Sequence, residues 1–522
     1  MSLIRAAFTV SAFTLLSRVT GLLRDIIIAR TFGASALTDA FWVAFRIPNL
    51  LRRLFAEGAF SQAFVPILSQ IKNNESATRT QQVIDRVAVL LFLTLTLITL
   101  VGIVGAPIVV IAMASGLTES GRTNEYQAAV VMTQIMFPYI ICMSMVSLAS
   151  GVLNTFKRFA VPAFTPILLN LSMIAASIGL GPFVSQPIYA LAIGVMIGGL
   201  LQLATQWFAL YRLGMHPRLS ASVKVSFQDA TVKRIMKQMV PATIGVSVAQ
   251  ISLLINTNIA TWLAVGSVTW LSFADRLMEF PTALIGVALG TVLLPSLSKA
   301  HAQFDDTRYS QLLDWGLRLV FLCGVPAAIT MVMLSDALVA TLFHYGAFSA
   351  YDVSQTQTAV MAYSVGLIGL LSVKILAPGF YGKQNIRTPV KIAIFVLIAT
   401  QVLNTILVPW LAHAGLALSI GLGACMNALA LLYALKKRAV YQPEPGWYAF
   451  FTRQLLASVA MALVLFYFRG FINWTSDDLH IGTRAVWLGV FIFVGLSTYL
   501  LTLLLTGQRL KDFKRAPPPK PQ

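Results

Sequence analysis

Charge is scarce in this 522-residue chain, and acidic charge scarcest of all. Asp and Glu number 19 against 38 Lys and Arg, and all charged residues together make up 11 %. With 57 % hydrophobic residues and a mean hydropathy of +0.78, this composition excludes a soluble globular domain. Sustained apolar–polar alternation is also missing, which argues against a membrane β-barrel. Only three cysteines occur, Cys142, Cys323 and Cys425; each lies in an apolar run without metal or redox spacing and reads as a buried small hydrophobe. The five histidines (His216, His301, His344, His413 and His480) are scattered near the ends of apolar runs and read as surface or interfacial residues, so no metal or other cofactor is expected. No nucleotide-binding motif is present. The formal charge of +19 would suit nucleic acid, but most of it sits in short loops beside apolar runs, where it reports orientation, and no nucleic-acid partner is expected.

What the chain does have is a long series of apolar runs, each about twenty residues, the length a helix needs to cross the hydrocarbon core. The expected fold is an all-α polytopic membrane protein of about fourteen transmembrane helices. The spans fall near 9–31, 36–68, 83–112, 126–152, 161–181, 186–211, 236–263, 267–299, 312–335, 353–382, 389–411, 414–436, 448–469 and 483–506. Loops after even-numbered spans are cationic: Lys72 and Arg79; Lys157 and Arg158; Arg212, Arg218, Lys224, Lys233, Arg234 and Lys237; Lys299 and Arg308; Lys383 and Arg387; Lys436, Lys437 and Arg438. TFGASALT, LGPFVSQP, LAVGS and SDALVATLFHYGAFSAYD, after odd-numbered spans, contain no Lys or Arg. The positive-inside rule therefore places both termini in the cytoplasm. Arg18 interrupts the first apolar run and no small-x-small cleavage site follows, so that run reads as an uncleaved span. The tail, 509–522, is basic and Pro-rich and reads as a short cytoplasmic end.

Three patterns recur at nearly one offset. FVPILSQ (64–70) answers LLPSLSK (293–299) at 229; KRFAVPAF (157–164) answers NIRTPVKI (385–392) at 227–228; AIGVMIGG (192–199) answers SIGLGACM (419–426) at 227. They imply two six-helix lobes, 1–225 and 226–440, related by a pseudo-twofold axis along the membrane normal, with a C-terminal helix pair over 441–508 as an appendix.

Two apolar runs near the N-terminus carry cations where lipid-spanning sequence ordinarily has none. LLSRVTGLLRDIII and FWVAFRIPNLLRRLFAEGAF hold Arg18, Arg24, Arg46, Arg52 and Arg53, with only Asp25, Asp39 and Glu57 as nearby acids. An ion at bilayer depth costs at least ~2.5–3.5 kcal/mol on insertion scales, so such groups line cavities; a cationic surplus implies a cavity that receives an anion. Arg18 and Asp25, seven apart, share a helix face, and Gly21 permits a bend that turns Arg24 inward. Arg46, Asn49, Arg53 and Glu57 fall on one side of the second run, where Pro48 can break the helix. Arg52 points about 100° from Arg53, so one of them faces the cavity and the other a partner or interface. In SFADRLMEFP, Asp275 and Glu279 lie one turn apart and either hold Arg276 or pair with arginines opposite. Lys374 stands alone in LLSVKILAPGF.

Blander readings stand beside these. Arg30 and Arg53 either snorkel to headgroups or face inward. Glu57, Asp275 and Glu279 are either ion-pair partners or substrate contacts, and Asp25 braces an arginine. Arg18, Arg24, Arg52, Arg276 and Lys374 sit deeper and are the functional candidates. The planar fork of arginine makes bidentate bonds to phosphate and stays charged in low dielectric, so the cavity suits a phosphate or pyrophosphate. Free carboxylates, which a cation or drug antiporter needs, are few.

SRVTGLLRD (17–25), TDAFWVAFRIPNLLRRLFAEGAFSQAFVP (38–66), ADRLMEFP (274–281), GVALGTVLLPSLS (286–298) and KILAPGFY (374–381) closely resemble the MurJ/MviN family, across essentially the whole chain. These are lipid II flippases of bacterial peptidoglycan synthesis, within the multidrug/oligosaccharidyl-lipid/polysaccharide exporter superfamily. The resemblance implies that Arg18, Arg24, Arg52 and Arg276 line a central cavity and contact the lipid II headgroup. It also ties Asp39, Asn49, Asp275, Glu279 and Lys374 to that cavity or its gating, and makes the last two spans a groove for the isoprenoid tail. Arg46 departs from a family pattern in which that position is often lysine; charge is kept while hydrogen-bond geometry changes. The implied partners are lipid II, membrane lipids and other cell-wall synthesis proteins, in the bacterial inner membrane. Sodium, protons and chloride stay open as coupling ions. Three rival readings also stay open: a flippase for another undecaprenyl-linked oligosaccharide of O-antigen or capsule type, a cation-coupled drug exporter, and a non-transporting scaffold.

Overall fold

A peptide chain in hydrocarbon finds no water for its N–H and C=O groups and must satisfy them within each segment, which selects helices here. A computed structural model describes residues 3–52, 60–119, 121–476 and 479–508, and among them no strand occurs. They form two compact units, Met1–Thr269 and Trp270–Gln522. In the first, α1 (Leu3–Phe32), α2 (Ala36–Arg52), α3 (Phe60–Asn74) and α4 (Ala77–Val104) lead to short α5 (Ala106–Met113) and α6 (Gly116–Glu119). Then come α7 (Thr123–Met136), α8 (Tyr139–Thr155), α9 (Ala160–Gly179), α10 (Tyr189–Leu213), short α11 (Val223–Gln228) and α12 (Ala230–Thr261). The second unit is built on α13 (Ser267–Ala302), which begins at the boundary, followed by α14 (Asp306–Met333), α15 (Ser335–Phe343), α16 (Ala350–Ser364), α17 (Leu367–Leu376) and α18 (Pro378–Tyr381). It ends with α19 (Arg387–Lys437), α20 (Trp447–Arg469) and α21 (Ile481–Leu505).

Length and composition alone make eight of the described helical segments long and apolar enough to span a bilayer, or nine if α16 with α17–α18, bent by 40°, is one span. α1, expected as the first span, carries Arg18, Arg24 and Asp25 within its apolar run. Pro48 lies inside α2 without ending it. At 51 residues α19 is about 77 Å of helix, too long for one crossing. It is broken at Ala412, whose φ of 48° and ψ of −128° are not helical, and the break separates 389–411 from 414–436.

Helices approach closely where side chains are smallest. A Cβ on Gly194 of α10 would lie 2.8 Å from Ala176 Cβ and 3.0 Å from Met173 Cα of α9. One on Gly421, 227 residues on, would lie 3.1 Å from the backbone N of Gly366. Both residues thus sit at backbone contacts that any larger residue would force apart. The packing partition and the sequence repeat assign α12 differently: it packs in the first unit, against α3 and α4. Phe60, Phe64 and Ile67 of α3, Ile84 and Val87 of α4, Leu148 and Val152 of α8, and Val232 and Ile235 of α12 share one core.

Two residue classes differ from expectation. Of the cysteines, Cys142 is buried, Cys425 half-buried and Cys323 exposed, since α14 and α19 turn most of their apolar surface outward. His413, expected at the surface, is buried beside Trp270, with ring centroids 5.0 Å apart and Nε2 2.9 Å from the Gln355 carbonyl.

The loop into α12 is clamped by charge. Asp229, buried, caps α12 by accepting the Thr231 and Val232 N–H groups at 2.8 and 3.3 Å, and it also accepts Arg79 Nη1 at 2.8 Å and Arg86 Nη1. Burial alone would raise the carboxyl pKa; the two guanidinium groups and two backbone donors outweigh it and hold Asp229 well below the ordinary carboxylate range. Asp229→Asn should therefore destabilise the protein by about 3 kcal/mol at neutral pH. Because the folded pKa is the lower one, the wild-type advantage should persist down to about pH 4 and fade only in stronger acid. Melting temperatures of both proteins in detergent across that range check this; a gap that does not change in acid would refute it.

Candidate functional site

Arg18 and Arg24 leave α1 about 120° apart around its axis, six residues being one and two-thirds turns. Arg18 is half-buried and lines a cleft of about 520 Å³ between α1, the end of α8 and the start of α9, with Thr14, Ser17, Asn154, Phe159, Pro162 and Pro166. Arg24 turns the other way and is 4 % exposed. Its Nε and Nη2 donate to Asp25 Oδ1 at 2.8 and 2.6 Å, and its Nη1 donates to Asn170 Oδ1 of α9 at 3.1 Å. Asn170 in turn donates through Nδ2 to the Ser17 carbonyl and to Thr20 Oγ1, at 3.0 and 3.1 Å. A buried ion pair holds only when its remaining lone pairs and protons are also met, and the Asn170 amide helps to do that from the neighbouring helix.

Asp39, in the first turn of α2, is 3 % exposed and caps a helix in another part of the chain. Oδ1 accepts the Thr269 N–H at 2.8 Å and the Thr269 hydroxyl at 2.6 Å; Oδ2 accepts the Gly266 N–H at 2.7 Å. The first amides of α13 would otherwise lack partners, and a carboxylate at that end also meets the positive pole of the helix. Gly266, at φ 94°, makes the turn that presents them. Two residues past the midpoint of α2, half-buried Arg46 donates through Nη1 to Thr257 Oγ1 of α12. Asn49 is half-buried, and Arg52 is the last residue of α2. Arg53 and Glu57 lie outside the described residues.

In the second unit, Asp275 is exposed while Arg276 and Glu279 are half-buried, with Arg276 Nη1 donating to Glu279 Oε2 at 2.7 Å. Exposed Lys374 of α17 lays its aliphatic stem across Gly286 of α13; a Cβ at 286 would lie 2.4 Å from Lys374 Cδ. The glycine is thus the seat of that lysine. No group of three His, Cys, Asp or Glu able to hold a metal occurs among the described residues.

Sequence reasoning found the charged residues and missed their neutral partners: Asn170, Thr257, Thr269 and Gly286. Asn170 had a signal, an amide in the apolar run FTPILLNLSMI; the others look like ordinary small residues of a membrane helix.

Asp25 and Asp39 thus act as buried fixtures, while Arg18 lines a cleft and Lys374 is exposed. The sequence pattern of the family described as "Lipid II flippase MurJ" matches residues 28–481. This chain belongs to the MurJ family. A relative from Burkholderia cenocepacia, named "Lipid II flippase MurJ", is 50 % identical over 515 residues, 99 % of each chain. One from Vibrio cholerae serotype O1, named "Probable lipid II flippase MurJ", is 38 % identical over 98 % of each chain. Among solved structures, one described as "Lipid II flippase MurJ, inward closed conformation" superimposes with a TM-score of 0.80 at 23 % identity, covering 97 % of this chain and 99 % of that one. An inward-facing multidrug resistance MATE family transporter of the MOP superfamily gives 0.62 at 15 % identity, over 83 % and 98 %. The fold is therefore that of a MurJ-type, multi-pass membrane transporter, and the family is one of flippases, not enzymes.

Within this MurJ-family chain, Asp25→Asn would remove the carboxylate that takes two bonds from buried Arg24 and should lower stability by about 3–5 kcal/mol. Asn170→Ala removes one acceptor and should cost about 1–2 kcal/mol. Thermal unfolding in detergent, followed as loss of the monodisperse peak, ranks them; equal melting temperatures for Asp25→Asn and wild type would refute the brace.

Proposed function

We propose that this chain flips lipid II, an undecaprenyl-pyrophosphate-linked disaccharide peptide, from the cytoplasmic to the periplasmic leaflet of the bacterial inner membrane by alternating access. The observation that carries this reading is Arg18, a cation at mid-helix in an apolar run, facing an open cleft in a chain half identical along its length to a named lipid II flippase. The tail of such a lipid is at home among acyl chains. Its head carries a pyrophosphate and peptide carboxylates, and shedding water from them without replacement is what makes unaided crossing slow.

Arg18, Arg24, Arg52 and Arg276 supply the replacement contacts: Arg18 from the cleft wall, Arg276 from α13, and Arg24 once its buried pair with Asp25 opens. Asp25, Arg46, Asn49, Arg53, Glu57, Asp275, Glu279 and Lys374 brace or gate this electropositive chamber. Asp39 is the gate fixture, releasing the amides before α13 when the chamber opens. The pair α20–α21 takes the isoprenoid tail. Cationic loops orient both termini to the cytoplasm, where the precursor is loaded and where other cell-wall synthesis proteins can hand it over.

The membrane potential supplies direction. An interior-negative field favours outward movement of an anion by about 2.3 kcal/mol per charge per 100 mV and returns the emptied cationic chamber inward. Sodium, proton or chloride gradients can add to it.

Arg18→Ala and Arg276→Ala, tested separately in cells depleted of the native protein, should each leave lipid II in the inner leaflet and fail to support growth, while accumulating in the membrane at normal level. Growth with normal leaflet distribution would overturn the assignment. In sealed vesicles, collapsing the potential should slow translocation; an unchanged rate would refute the drive without touching the substrate.

A further inference from the structure

We propose that a groove between α14, α17, α19 and α20 is a binding site for a membrane phospholipid whose headgroup carries both a phosphate and a primary amine. It lies wholly in the second unit; neither Arg276, Glu279 nor Lys374 lines it, and of the pair α20–α21 only the start of α20 contributes.

Its volume is about 770 Å³. That falls in the ~300–1,000 Å³ range of ligand pockets. The walls are apolar, formed among others by Phe321, Ile368, Leu429, Leu432 and Phe451. Val365 and Leu429 on its edge are 50 % and 65 % exposed, so the groove opens sideways onto the face that meets acyl chains. An apolar hollow on that face is filled by lipid, and a chain lying in it needs no hydrogen-bond partner.

One end is closed by the segment linking α19 to α20, which is pinned in place. Buried Asp314 of α14 accepts the Tyr441 hydroxyl at 2.8 Å, the Trp447 indole N–H at 2.7 Å and the Glu444 N–H at 3.2 Å through Oδ1, and Arg318 Nε at 2.7 Å through Oδ2. Arg318 also donates to the Pro445 carbonyl at 3.0 Å and lies over the Trp447 ring, 4.9 Å from its centroid. The roof is thus held by the protein itself, and an occupant does not have to order it, which favours binding.

The rim selects the headgroup. Lys436 and Glu444 are the charged side chains lining the groove, and among the described residues no ion pair joins them. An ammonium for a phosphate and a carboxylate for an amine complement the head of phosphatidylethanolamine. Phosphatidylglycerol would satisfy Lys436 and leave Glu444 without a partner.

The test places the full chain in phosphatidylethanolamine nanodiscs with a trace of the same lipid carrying a photoactivatable acyl chain, and maps adducts by mass spectrometry. Adducts should concentrate on the groove residues of α17, α19 and α20, and Lys436→Glu should reduce them about tenfold, the effect of losing one charge-assisted contact. A phosphatidylglycerol probe should label more weakly, and Glu444→Gln should erase that difference while labelling persists. Both rim residues are solvent-accessible, and Leu429→Trp, on the exposed edge, supplies a second variant that narrows the groove and should also reduce labelling. Adducts spread evenly over all outward apolar faces, or indifferent to the three variants, would overturn the site. Displacement by undecaprenyl phosphate would overturn it differently, by making the groove part of the substrate path. The site does not rest on the proposed transport, so lost labelling and lost flipping are separable results.

Discussion

An ion or amide group at bilayer depth has no water to turn to, and the protein must answer each one from within. The few acids of this chain are placed accordingly. Asp25 holds Arg24, Asp39 and Asp229 cap helices, Asp314 anchors the segment before α20, and Asp352 both caps α16 and accepts the Trp270 indole N–H at 2.9 Å. Each is buried and multiply bonded. These five stand among 19 acids in all, which Lys and Arg outnumber two to one.

Much of this was legible in the sequence. Hydropathy and length gave the helical class and the separate halves of α19, and the cations in the first two apolar runs pointed to an anion. Side-chain direction was less readable. Heptad spacing put Asp25 on the face of Arg18, yet its carboxylate takes two bonds from Arg24, the adjacent residue, because Asn170 of α9 provides a third contact that fixes the guanidinium there. Sequence periodicity describes one helix; the partner that decides a rotamer comes from another. The same holds for Lys374, whose path over Gly286 depends on an α13–α17 contact that no local pattern encodes.

Small residues occupy two positions that match at the 227-residue offset. Gly194 and Gly421, equivalent at the 227-residue offset, both lie where a helix meets neighbouring backbone, though the neighbours differ: α9 for the first, the break between α16 and α17 for the second. The constraint retained is absence of bulk. That is a demand on one atom, which divergent sequence can meet while everything around it changes, and it makes such matches short and scattered.

The elbow at Ala412 carries a mechanical implication. A Cβ on Gly415 would come within 2.6 Å of the Leu407 carbonyl oxygen, so the chain doubles back on itself within a few residues of the break. A connector this short has no slack to pay out. The two arms of α19 can pivot as one lever but cannot slide past each other, and any bending stress reaching either arm is delivered to a single peptide junction instead of being absorbed by a loop.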